Sequence, residues 1–168
     1  MAKIYVITGP AGVGKSTVTN ALAQRLDKCA VLEGDEIYHQ VKSGCVKPWL
    51  EGNHLNLMWK NIICLAQNYL AEGFDVILNY IIYDKELELI KQNISDFDIH
   101  FVVLMAERDT VAKRDADRGE EFAVNRVDKH ITKFLSQGFG KNNFLYNDNK
   151  TVNQEIDEIL SGRFLINK

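Results

Sequence analysis

Short runs of apolar residues alternate with amphipathic stretches along most of this 168-residue chain. Uninterrupted apolar runs are typical of strands buried on both faces of a parallel sheet. They predict four such strands and a shorter fifth one, at about 4–7, 28–33, 74–82, 98–104 and 144–146.

Between these runs, apolar residues recur every three or four positions, which predicts amphipathic helices at about 18–26, 55–69, 84–94, 127–135 and 152–160. Strands that alternate with helices imply right-handed crossovers. The pattern therefore predicts one α/β domain over residues 1–168, with three layers and a five-stranded parallel sheet that has helices on both faces.

A glycine-rich segment joins the first predicted strand to the first predicted helix. It fits the pattern G-x-x-x-x-G-K-[ST], which binds phosphates in this strand–loop–helix context. Its glycines allow backbone amides to turn toward phosphate oxygens, while the lysine supplies a positive charge and the hydroxyl a ligand for magnesium. The segment predicts a site for a nucleoside triphosphate and Mg²⁺ formed by Gly9, Pro10, Ala11, Gly12, Val13, Gly14, Lys15, Ser16 and Thr17.

Two carboxylates stand at the end of the second predicted strand. Functional groups collect at the carboxyl edge of a parallel sheet, so Asp35 lies at the same edge as the phosphate loop. We expect Asp35 to orient or deprotonate an attacking hydroxyl and Glu33 to reach magnesium through water. The alternative is that Asp35 only caps the following helix, since Asp is a favoured cap residue.

A segment of about 36–60 carries several large side chains with polar tips. Tyr38, His39 and Trp49 are candidates to line an acceptor pocket, although each alone is an ordinary packing or surface residue type. We interpret the segment as an acceptor-side insert.

A segment of about 108–126 is rich in arginine. Arg114 and Arg118 are four residues apart, hence on one helix face, where they would attract an anion. Such a segment beside a phosphate loop is predicted to act as a lid over the transferring phosphate. The alternative is a solvated helix in which Asp117 and Asp115 pair with these arginines.

Composition narrows the choice of partner. A net charge of −3 gives no general attraction to nucleic acid, and three cysteines without a C-x-x-C pair favour free thiols over disulfides or zinc. No apolar run is long enough to span a membrane, and the start of the chain lacks the pattern of a signal peptide. We expect a cytoplasmic protein whose partner is a small-molecule acceptor, with neither a nucleic acid nor a membrane as partner.

With these motifs in place, nearly the whole chain resembles the P-loop small-molecule kinases, such as gluconate kinase, shikimate kinase and chloramphenicol phosphotransferase. The resemblance implies a P-loop NTPase fold with an arginine-bearing lid and transfers the loop roles to Lys15 and Ser16. It also implies that Asp35 serves the acceptor, that Arg114, Arg118 and Arg126 contact phosphate, and that Arg108 approaches the adenine or the phosphates. The chain departs from the family where its third strand ends, at Asn79 and Tyr80.

The expected function is ATP-dependent transfer of the γ-phosphate to a hydroxyl of a small polar metabolite. One alternative is a nucleoside or nucleotide kinase, which would need base-selective contacts from the acceptor-side insert. An alternative of another class is an ATP-binding switch without productive transfer.

Overall fold

The structure is a computed structural model that describes residues 1–111 and 124–166, with the backbone alone for 124–127. Five parallel strands form one sheet in the order β2-β3-β1-β4-β5. The strands are β1 Lys3–Thr8, β2 Cys29–Glu33, β3 Asp75–Asn79, β4 Asp98–Met105 and β5 Phe144–Tyr146. The predicted five-stranded parallel sheet is therefore confirmed.

Helices connect the strands and cover both faces of the sheet. They are α1 Lys15–Ala23, α2 Gly34–Tyr38, α3 Leu55–Ala71, α4 Asp84–Asn93, α5 Val124–Leu135 and α6 Val152–Leu160, and residues 108–111 are also helical. None of the helices in the described part of the chain has the length and apolarity to cross a bilayer.

The side chains of β1 alternate between two apolar clusters, one on each face of the sheet. Ile4 and Val6 pack into a cluster that includes residues of α3, α4 and α5, whereas Tyr5 and Ile7 pack with residues of α1 and α6. All four side chains are at most 2% exposed. Burial on both faces explains the continuous apolar runs and confirms the three-layer arrangement.

The third strand is shorter than its apolar run. It was predicted over 74–82 but ends at Asn79. The buried hydroxyl of Thr8 accepts a hydrogen bond from the Ile82 amide at 2.8 Å, which takes this amide out of the β-ladder. The chain therefore turns away after Asn79, and residues 80–83 form a connection at the carboxyl edge of the sheet.

The outer side of β4 is completed by two segments. Its carboxyl half pairs with β5, while the C-terminal segment covers the other half, where Phe101 donates to the Phe164 carbonyl and Ile166 donates to the Ile99 carbonyl. The carboxyl ends of all five strands thus meet at one edge, where the phosphate loop begins.

Candidate active site

The phosphate loop lies between β1 and α1, at the centre of the carboxyl edge. Gly9 has a φ of +142°, and a Cβ there would lie 2.2 Å from the Leu104 carbonyl oxygen, so any other residue would clash. Gly14 precedes α1 in a left-handed conformation, and no side chain caps this helix. The first-turn amides of α1 are therefore available to an anion, which the positive end of the helix dipole also favours.

The Lys15 ammonium lies across the loop. It donates hydrogen bonds to the carbonyl oxygens of Gly9 at 3.0 Å and Pro10 at 2.9 Å. Both carbonyls belong to the loop itself, so the positive charge lies at the mouth of the predicted phosphate site.

A buried side-chain amide at the end of β5 supports the loop. The Asn147 Nδ2 donates to the Val13 carbonyl oxygen at 3.0 Å and lies 3.3 Å from a carboxylate oxygen of Glu155. Both side chains are at most 4% exposed. Asn147 follows β5 directly and Glu155 lies in α6, so this contact joins the loop to the C-terminal part of the chain at the same edge of the sheet.

Asn79 brings together the two residues predicted as magnesium ligands. Its Nδ2 lies 2.7 Å from Oε2 of Glu33 and 3.4 Å from Oγ of Ser16. Strand order explains this contact, because β3 lies between β2 and β1 and Asn79 stands in register with Glu33 and Ile7. The three polar groups therefore converge beside the start of α1.

This oxygen-rich corner suits magnesium. A hydroxyl and a carboxylate are hard ligands, and Mg²⁺ commonly takes one or two protein ligands with the remainder from water and phosphate. Burial raises the pKa of Glu33, whereas the hydrogen bond from Asn79 lowers it. Within the described residues no cluster of three His, Cys, Asp or Glu side chains offers a cation a cage formed by protein alone.

Asp35 lies in the first turn of α2. This helix begins at Gly34, and Glu33 occupies the N-cap position in an extended conformation. The alternative reading of Asp35 as the helix cap is therefore wrong, although a carboxylate in the first turn still favours the helix dipole. Asp35 is exposed and lines the cavity described next.

A cavity of about 800 Å³ adjoins Asp35 on the side of the sheet that carries α3, α4 and α5. We call it the aromatic cavity, because its walls include four aromatic side chains, Trp49, Trp59, Tyr80 and Tyr83. Besides the two tyrosines, the charged or titratable groups among its described lining residues are Asp35, Glu86, His130 and Lys133.

Close packing fixes the aromatic wall. A Cβ at Gly34 would lie 2.4 Å from the ring of Tyr80, so the absence of a side chain lets this ring sit directly on α2. Tyr80 also meets Trp59 edge-to-face, with ring centroids 5.8 Å apart. Burial, followed by the charges of nearby acidic groups, raises the pKa of Tyr80 to about 12, so the phenol stays protonated.

Of the three candidate pocket residues in the acceptor-side insert, Trp49 alone lines the cavity. Tyr38 is buried, and its hydroxyl donates to the Val46 carbonyl and accepts from the His54 amide. Tyr38 therefore braces the loop from beneath. The ring of His39 is exposed and contacts the Asp35 carbonyl through Nδ1 at 2.7 Å.

The arginine-rich segment is described at its two ends. Arg108 is exposed and pairs with Asp128 of α5, with Nη2 3.0 Å from Oδ2. Arg114 and Arg118 lie outside the described residues, and so does the side chain of Arg126. The predicted roles of these three arginines stay predictions.

Several residues of this edge were not anticipated as site residues. Asn147 and Glu155 support the phosphate loop across more than 130 residues of sequence, and Tyr83, Glu86 and Lys133 join the cavity from α4 and α5. The polar turn after the last predicted strand was a signal for Asn147. No sequence pattern pointed to the other four.

A sequence profile described as an AAA domain matches residues 6–133, which include the phosphate loop. No curated protein sequence matches the chain.

Solved structures of kinases and a resistance protein share the fold along nearly the full length. The tunicamycin resistance protein of Deinococcus radiodurans aligns with a TM-score of 0.75 and 19% identity, covering 99% of this chain and 98% of that one. The APS kinase of Mycobacterium tuberculosis, in complex with AMPPNP and APS, gives 0.73 and 17%, covering 95% and 96%. A gluconokinase from Sinorhizobium meliloti 1021 gives 0.68 and 18%, covering 96% and 91%.

Proposed function

This chain belongs to the AAA domain family and has a P-loop kinase-like fold, and from these findings we propose that it is an ATP-dependent phosphotransferase. Its acceptor is a hydroxyl of a small polar molecule. The observation that carries the proposal is the continuity of one edge: the phosphate loop, the Ser16–Asn79–Glu33 corner and Asp35 lead directly into the aromatic cavity.

Each described residue has a defined task in this proposal. The loop amides and Lys15 bind the outer phosphates of ATP, and Asp35 accepts the proton of the acceptor hydroxyl. As the hydroxyl oxygen bonds to the γ-phosphorus, the bond from that phosphorus to the β,γ-bridging oxygen breaks and ADP leaves. Catalysis of this kind depends on positioning and electrostatic stabilisation.

Ser16 and Glu33 are the residues that would hold magnesium, Ser16 directly and Glu33 through water. When bound, the metal supplies positive charge to the β- and γ-phosphate oxygens. The lid arginines Arg114, Arg118 and Arg126 are assigned by resemblance to the transferring phosphate, and Arg108 to the adenine or the phosphates.

The test is acceptor-dependent ADP release by the purified protein with Mg²⁺ and ATP, measured against sugars, sugar acids, nucleosides and hydroxylated antibiotics. We expect one chemical class to raise ADP release far above background hydrolysis. Stabilisation by ATP with no response to any acceptor would favour the ATP-binding switch and count against the kinase.

Two variants separate binding from transfer. Lys15→Ala should abolish transfer, whereas Asp35→Asn should leave ATP binding nearly unchanged and lower transfer by about 100- to 10,000-fold, the usual contribution of a general base. Glu36→Gln, at the next exposed position of α2, is the matched control and should keep its activity. Equal loss of ATP binding and transfer in Asp35→Asn would contradict the role of Asp35.

A further inference from the structure

The charge and shape of the aromatic cavity restrict the kind of acceptor it fits. This inference rests on the proposed function, because it takes the cavity beside Asp35 as the acceptor site. A volume of about 800 Å³ is in the range of cavities that hold drug-sized ligands, and is more than a single small sugar acid needs.

Aromatic side chains supply much of its wall. Trp59 is 7% exposed and held edge-to-face against Tyr80, so its position is fixed, whereas Trp49 is 69% exposed on the insert loop. The exposed ring of Trp49 and the half-buried rings of Tyr80 and Tyr83 offer apolar faces that a flat or ring-shaped ligand can cover. An open-chain polar acceptor would leave these faces wet.

The described charges of the cavity are unfavourable to an anion. Asp35 and Glu86 place two carboxylates on its lining, against one ammonium, that of Lys133. This ammonium lies 3.8 Å from the centroid of the Tyr83 ring, so its charge already has a partner within the wall.

The two carboxylates act on the same part of the cavity. Asp35, Tyr80 and Glu86 all line this cavity, and both carboxylates contribute, after burial, to the raised pKa of the Tyr80 phenol. One carboxylate oxygen of Glu86 accepts a hydrogen bond from the backbone N–H of Tyr83 at 3.1 Å, which holds the Glu86 side chain at the start of α4. A carboxylate or phosphate on the acceptor would therefore meet the negative charge of Asp35 and Glu86.

We propose that the acceptor is a hydroxyl-bearing ring compound without an anionic group. Its ring covers the tryptophan and tyrosine faces, and its hydroxyl lies at Asp35. This distinguishes the chain from an enzyme whose acceptor is a sugar acid or a phosphorylated nucleotide.

Both tryptophans of the chain line this cavity, so intrinsic fluorescence reports on its occupancy without any need for turnover. The experiment titrates the full chain, saturated with Mg²⁺ and a non-hydrolysable ATP analogue, with matched pairs that differ by one anionic group. The pairs are phenyl β-glucoside with phenyl β-glucuronide, and uridine with uridine 5′-monophosphate. We expect the neutral member of at least one pair to bind at least about tenfold more tightly than its anionic partner.

Glu86→Gln tests whether the discrimination is electrostatic. Glutamine can still accept the hydrogen bond from the backbone N–H of Tyr83, so the cap at the start of α4 is retained while the negative charge is removed. The preference for the neutral ligand should narrow severalfold in this variant. It should stay unchanged in Glu88→Gln, whose exposed carboxylate pairs with Lys91 outside the cavity.

Equal or tighter binding of the anionic member in both pairs, or no saturable binding of either neutral compound, would overturn the inference. These results are separable from failure of the kinase proposal. Binding of a neutral ligand without acceptor-dependent ADP release would reject the kinase activity but support the preference for a neutral ring compound. ADP release stimulated by the glucuronide would support the kinase activity but reject that preference.

Discussion

At the residue scale, the side-chain amide of Asn79 positions two other side chains of the candidate site. It holds Glu33 at 2.7 Å and reaches Ser16 at 3.4 Å, and it is itself 5% exposed. Without this donor the partly buried carboxylate of Glu33 would be harder to keep ionised, because burial already raises its pKa. Asn79 therefore fixes the orientation and influences the charge of Glu33, which we propose as a magnesium ligand.

Removal of this amide should weaken the response to magnesium. In Asn79→Ala we expect the Mg²⁺ concentration needed for half-maximal nucleotide binding to rise by about 10- to 100-fold, the usual effect of losing an outer-shell partner of a metal ligand. Thermal shift with ATP at a series of Mg²⁺ concentrations measures it. Asn68→Ala, on the exposed face of α3, is the control, and an unchanged Mg²⁺ dependence in Asn79→Ala would refute the assignment.

Sequence reasoning locates a motif most readily when its residues follow fixed local spacing. The loop from Gly9 to Thr17 was identified because its function needs fixed intervals within one turn of chain. Asn79 was noticed only as a departure from the family, since its contacts with Glu33 and Ser16 span 46 and 63 residues. Both readings of Tyr38, pocket lining and packing, stayed open for a similar reason. The pattern of an aromatic residue does not reveal whether it faces a pocket or packs under a loop, and the structure shows that Tyr38 is buried.

At the scale of elements, the junction between β5 and α6 is fixed to the loop between β1 and α1. The side-chain amide of Asn147 donates a hydrogen bond to the Val13 carbonyl, and its backbone N–H donates one to the Met105 carbonyl at the end of β4. The phosphate loop is thereby held from the neighbouring strands as well as from its own helix. Preorganised loops bind phosphates at lower entropic cost.

Loss of this support should affect both stability and nucleotide affinity. Asn147→Leu should lower the free energy of unfolding by about 1–3 kcal/mol, the usual cost of losing a buried hydrogen bond, and raise the KM for ATP with less change in kcat. Chemical denaturation and steady-state kinetics measure the two effects. The exposed Asn149→Leu is the matched control, and a stable Asn147→Leu protein with normal KM would contradict the supporting role.

The elements themselves were predictable because burial on both faces of the sheet leaves a strong apolar signal. The end of β3 was not predictable, since it depends on a hydrogen bond from the Ile82 amide to Thr8, which lies 74 residues earlier in the sequence. The aromatic cavity was also hidden from the sequence. Its walls come from the insert, α3, the end of β3, α4 and α5, and only the folded chain shows that they meet.

At the scale of the whole molecule, the edge of the sheet opposite the candidate site contains a buried histidine. His100 is 4% exposed, stacks on Tyr5 with ring centroids 4.9 Å apart, and has no hydrogen-bond partner for either ring nitrogen among the described residues. Burial and, less strongly, Lys3 lower its pKa below the ordinary 6.5, although Asp98 and Asp75 act in the opposite direction. The fold therefore prefers the neutral ring.

This preference predicts a loss of stability in mild acid. Because the pKa of His100 is lower in the folded state, the unfolded chain binds the proton first, and stability should decline as the pH falls from about 7 through 6.5 and below. Denaturant unfolding at a series of pH values measures the decline. His100→Phe keeps a ring against Tyr5 and should flatten this part of the profile, whereas the exposed His39→Gln should not; an unchanged slope in His100→Phe would rule out the assignment.

The central position of β1 has a consequence for synthesis. Its partners, β3 and β4, begin at residues 75 and 98, so the strand that leads into the phosphate loop is translated long before either neighbour exists. Until the ribosome has passed residue 105, β1, which is apolar on both faces, lacks β4 as one of its two neighbouring strands. Contacts between residues so far apart in sequence also form slowly. Nascent chains are accordingly exposed to aggregation during this interval, and the phosphate loop gains its neighbouring strands only late in synthesis.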